Sequence, residues 1–89
     1  MNRSILPRKN LTLAYGQYLF VNEFQKGIHI IDNANPSSPQ SLGFIDIIGN
    51  THFSIKNDVL YANKLEDLVV LDISNIEQPH QVDRLDQVF

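Results

Sequence analysis

The chain contains no cysteine, and that absence excludes disulfide staples and thiolate metal sites together. Positive charge is also short: 7 Lys and Arg stand against 10 Asp and Glu, a formal net charge of −3 at pH 7. Without a basic excess there is no field to hold a phosphate backbone, so no nucleic-acid partner is expected. Long apolar runs are missing. The longest, such as Leu68-Val69-Val70-Leu71, fall far short of the roughly 20 residues of a membrane-spanning helix. The opening residues Met1-Asn2-Arg3-Ser4-Ile5-Leu6-Pro7-Arg8 lack the apolar core of a signal peptide. No export signal is therefore expected, and the compartment stays undetermined. Four glycines, Gly16, Gly27, Gly43 and Gly49, are too scattered to cradle a phosphate.

What the chain has is apolar content and a repeat. Leu, Ile, Val and Phe make up about a third of its 89 residues, well above the roughly 20% at which disorder becomes the default. Tyr18-Leu19-Phe20-Val21-Asn22 lies 41 residues before Val59-Leu60-Tyr61-Ala62-Asn63, and Ile28-His29-Ile30-Ile31-Asp32 lies 40 residues before Leu68-Val69-Val70-Leu71-Asp72. One residue is therefore missing from the second copy, between Asn63 and Leu68. The register continues through Asn35/Asn75, Pro39/Pro79, Ile45/Leu85 and Asp46/Asp86. A polar N-terminal arm (1–9) is expected to precede two units, 10–50 and 51–89.

Each unit breaks into short β-branched or aromatic runs separated by turn formers. The first unit reads as strands at 11–15, 18–21, 28–31 and 42–48, the second as strands at 53–56, 59–62, 68–73 and 82–88. Four strands in about 41 residues is the arithmetic of a β-propeller blade. The expected fold is all-β: two four-stranded antiparallel blades, an incomplete propeller or a fragment of one. Residues 60–71 taken alone also carry helical spacing. Their counterpart contains Gly27 and a β-branched run, and repeated units share one structure, so the strand reading stands.

The segments Gly27-Ile28-His29-Ile30-Ile31-Asp32, Asn35-Pro36-Ser37-Ser38-Pro39 and Leu68-Val69-Val70-Leu71-Asp72-Ile73-Ser74-Asn75 resemble bacterial proteins built from LVIVD repeats. The resemblance covers residues 7–89 and is closest to uncharacterised secreted or lipid-anchored members. It implies propeller blades and says little about activity. Members carry many repeats and usually an export signal, so a chain with two repeats is expected to be a piece of a larger propeller or a truncated reading frame.

Little here assembles into a catalytic centre. No two of His29, His52 and His80 stand at the close sequence spacings of a metal site, and the serines lack the Gly-x-Ser-x-Gly elbow. No cofactor or metal is expected. His29 aligns with Val69 and reads as a histidine on a packed sheet face. His80 reads as a solvated loop residue, and His52, at the start of an inner strand, as a candidate ligand contact. Asp32 and Asp72, recurring with Asn35, Asn75, Pro39 and Pro79, read as turn residues whose side chains accept N–H groups two residues on. Two tripeptides, Asn2-Arg3-Ser4 and Asn10-Leu11-Thr12, fit the glycosylation pattern.

The expected function is a non-catalytic interaction or scaffolding module. Its contact surface is expected on the rim loops, at Asn22, Glu23, Asn50, His52, Asn63 and Lys64. Its partners are expected to be other propeller blades, further copies of itself or a protein of unknown identity. Ile28, Ile30, Leu68 and Val70 belong to central strands in which both faces are apolar, and two blades can cover only one face each. The alternative is part of a propeller enzyme whose remaining blades and active-site groups are absent from this chain.

Overall fold

The computed structural model describes residues 10–88. The expected N-terminal arm, with its glycosylation tripeptide, lies outside them, as does Phe89. The strands are β1 (Thr12–Tyr15), β2 (Tyr18–Glu23), β3 (Gly27–Asp32), β4 (Gln40–Asp46), β5 (Phe53–Lys56), β6 (Val59–Lys64), β7 (Asp67–Asp72) and β8 (His80–Leu85). They form two separate antiparallel meanders, β1-β2-β3-β4 and β5-β6-β7-β8. No helix occurs among the described residues, and 60–71 is a β-hairpin.

The two sheets repeat in detail. Each has its first turn at a residue with positive φ, Gly16 and Asn57, a conformation glycine adopts freely and asparagine tolerates. A bulge interrupts each outer pairing at the same place, between Ile30 and Ile31 and between Val70 and Leu71. The missing residue falls in the second hairpin: residues 24–26 join β2 to β3, whereas only Leu65 and Glu66 join β6 to β7. The outer strands start earlier than their apolar residues suggest, at Gln40 and His80. They are largely exposed, so polar residues suit them and apolar periodicity marks them poorly. His80, read above as a loop residue, opens β8 opposite Asp72. Ile47 and Ile48 belong to the connection between the blades.

The two faces that meet are unlike. Directly paired residues share a sheet face. In the first sheet one face carries Phe20, Ile30 and Ile28, all buried, whereas the other carries Leu19, Val21, His29 and Ile31, all half-buried. In the second sheet the buried row is Leu60, Ala62, Val69 and Leu71, while Tyr61, Leu68 and Val70 face outward. Leu60, Ala62, Val69 and Leu71 occupy the repeat positions of Leu19, Val21, His29 and Ile31. The front of one blade thus lies on the back of the next, and the core is one cluster built from both sheets.

Candidate functional site

The rim where the blades join is built from three loops. The connection following β4 is fixed to the β2–β3 hairpin by backbone bonds: Gln25 N–H to Asn50 O (2.6 Å), Ile47 N–H to Lys26 O (3.0 Å) and Gly49 N–H to Gln25 O (2.8 Å). Gly49 has φ +74°, and a Cβ there would sit 3.0 Å from Leu65 N, so glycine lets the β6–β7 hairpin close on the same connection.

Asparagines fill the space between these loops. Asn22 Nδ2 donates to Asn50 Oδ1 at 2.5 Å, and Asn50 Nδ2 donates to Asn63 O at 2.9 Å and Asn63 Oδ1 at 3.1 Å. Asn63 Oδ1 also accepts the backbone N–H groups of Thr51 and His52 at 3.0 and 3.1 Å. The exposures of Asn22, Asn50 and Asn63 are 2%, 0% and 8%. Groups so enclosed cannot meet a partner while the loops stay closed. Buried amides are stable only when their donors and acceptors are filled, and here they fill one another across two blades.

The remaining rim residues expected to share a contact surface lie further out. Glu23 and Lys64 are half-buried and His52 is exposed. Glu23 belongs to a different cluster, on the outer face of the first blade. His29 Nε2 lies 2.8 Å from Glu23 Oε1, and Lys26 Nζ lies 3.5 Å from Glu23 Oε2. The His29 ring lies 4.6 Å, centroid to centroid, from Phe44. The hydrogen bond from His29, aided by Lys26, holds the Glu23 carboxyl below its ordinary pKa. These residues line an open concavity of about 490 Å³ with Gln25, Asp46 and Ile48. Of its residues only Glu23 was expected on a contact surface; Glu23 pairs with Gly27 and His29 with Phe44, so the hairpin register alone brings them to one face.

The opposite rim carries the turn residues. Asp32 Oδ1 accepts Ala34 N–H at 3.0 Å, and Asp72 Oδ1 accepts Ser74 N–H at 2.8 Å and Ser74 Oγ–H at 2.7 Å. Ser74, through its hydroxyl and then its backbone N–H, lowers the Asp72 pKa. Asn35 and Asn75 do the same work one step later, accepting from Ser37 and Glu77 at 3.1 and 3.2 Å. Pro39 and Pro79 immediately precede β4 and β8. A bond between blades closes this side: Tyr15 Oη donates to Asp58 Oδ1 at 2.5 Å, raising the tyrosine pKa. Among the described residues no group of three or more His, Asp or Glu stands close enough to hold a metal ion.

The LVIVD repeat pattern matches residues 12–47 and 53–86, two successive copies whose limits follow the two sheets. The chain belongs to the LVIVD-repeat family. The fold is shared with a solved β-propeller, the N-terminal domain of Nup159, at a TM-score of 0.58 and 16% identity. That alignment covers 84% of this chain and 20% of the Nup159 chain, so the LVIVD pair corresponds to a fraction of that propeller. No curated protein matches. In LVIVD terms, the Asp of each repeat is the turn acceptor just described, and the apolar run before it is the central strand of a blade.

Proposed function

We propose that this LVIVD pair is a non-catalytic interaction module whose contact surfaces are its two open sheet faces, with the rim asparagines acting as the brace that holds the blades together. The observation that carries this reading is the placement of exposed large apolar side chains. Tyr61 and Leu85 stand on the outward face of the second blade and Phe44 on that of the first, at 36%, 48% and 43% exposure. Neighbouring half-buried residues extend both surfaces. Contiguous apolar faces of this kind mark sites of protein association.

The structure adds a second, catalytic reading through the Glu23–His29 pair, which has the composition of an acid–base couple. Its position speaks for contact instead. His29 occupies the repeat position of Val69, which is buried between the blades, so the pair lies on a face of the kind that the fold covers with another blade.

The test compares face and rim. Replacing Tyr61 or Leu85 by Glu is expected to lower self-association and hydrophobic-dye binding several-fold, whereas Lys64→Ala on the rim leaves both unchanged. Light scattering and dye fluorescence read the two effects. Association that falls with Lys64→Ala and persists in the face variants would contradict the proposal.

A further inference from the structure

Each open face repeats the residue pattern of a face already buried inside the molecule. On the outward side of the second blade, Tyr61, Leu68, Val70 and Leu85 occupy the repeat positions of Phe20, Ile28, Ile30 and Ile45. Phe20, Ile28 and Ile30 are buried in the contact between blades, and Ile45 packs against that core. On the outward side of the first blade, Leu19, Val21 and Ile31 occupy the positions of Leu60, Ala62 and Leu71, which form the other half of that contact. The chain therefore carries much of its internal interface a second time, split between its two ends, with Thr12 and His29 standing on the open face where Phe53 and Val69 are buried in the internal one. The two halves differ from each other and complement each other.

We infer that the occupant of each open face is a second copy of this chain, docked head to tail, so that the outward face of one copy's second blade lies on the outward face of the next copy's first blade. The inference rests on the interaction reading above and names its partner. The internal contact supplies the template: the repeat counterparts of these apolar residues already pack on one another in the fold. A contact between unlike faces does not close on itself after two copies. It continues until rotation brings the ends together. With two blades per copy, three or four copies give six or eight blades, within the roughly 4–8 of propellers.

Blocking one half at a time tests the docking. Val21→Glu places a charge on the first-blade face, where the repeat counterpart Ala62 is 1% exposed. Tyr61→Glu does the same on the second-blade face, where the counterpart Phe20 is 0% exposed. Each variant retains one intact half, and the halves are opposite. The unmodified chain is expected to form species of three or four copies by size-exclusion chromatography with light scattering. Each variant alone is expected to be monomeric, and an equimolar mixture to form a species of two copies and nothing larger.

Circular dichroism checks that each variant keeps its strand signal. Leu19→Glu and Leu85→Glu replace either variant that loses it. Variants that associate alone as the unmodified chain does, or a mixture that stays monomeric, would overturn the inference. A monomeric unmodified chain at millimolar concentration would also overturn it. The two readings then separate: dye binding that falls in both variants leaves the faces as contact surfaces for another protein, and dye binding indifferent to both removes the interaction reading as well.

Discussion

Gly27→Ala is expected to remove about 4 kcal/mol of folding stability, which is the range reserved for a named steric or backbone conflict. Gly27 opens β3 at φ +154°, a conformation that side chains rarely adopt. A Cβ there would run into the backbone oxygen of Ile45 and lie 2.8 Å from the Phe44 ring and 3.0 Å from Ile47 N. Two of these neighbours are backbone and cannot rotate away. To admit the methyl group, β3 and β4 must part at the end where the connection between blades begins. Stability for a chain of this length is only about 5–10 kcal/mol, so the loss takes a large share of it. Gly43→Ala is the control: a methyl group there would meet nothing within 4 Å, and the exchange is expected to fall within about 0.5 kcal/mol of the parent. Urea unfolding measures both. Equal midpoints for the two variants would contradict the account of β3.

Asn50→Ala is expected to cost about 3 kcal/mol. The side chain is fully enclosed, accepts from Asn22 and donates to His52 O at 3.0 Å and to Asn63 O at 2.9 Å. Each lost bond costs about 1 kcal/mol, and buried groups left without a partner add to that. For a domain of this size the thermal midpoint should fall by roughly 10–20 °C. Lys64→Ala, on the same rim and partly solvated, should move it by no more than about 2–4 °C. A small effect of Asn50→Ala would mean that the three asparagines do not brace the blades.

The blades were legible in the sequence because both signals are local. Runs such as 28–31 and 68–71 have strand chemistry on their own, and the turn that follows each is written in the spacing of Asp32, Asn35 and Pro39. Even the shortened hairpin was legible, since the repeat offset changes from 41 to 40 between Asn63 and Leu68. The brace was not. Asparagine next to glycine reads as a solvated turn, and Asn50 becomes buried only because hairpins from two different blades close over it. One signal was present: Asn22 and Asn63 occupy the same repeat position, and recurrence in both units marks structure for them as it does for Asp32 and Asp72. The choice of filled face was also beyond the sequence. Both faces of each sheet carry apolar side chains, and only the order of the blades decides that Ile30 is covered while Ile31 remains open.

The central claim is that the blades stack front to back, and isotope-edited nuclear Overhauser spectroscopy of the side chains tests it most directly. The account predicts cross-peaks joining the row Phe20, Ile28 and Ile30 to the row Leu60, Val69 and Leu71. It predicts none joining that first row to Tyr61 and Val70. Cross-peaks from Phe20 or Ile30 to Tyr61 or Val70 would show like faces in contact and contradict it.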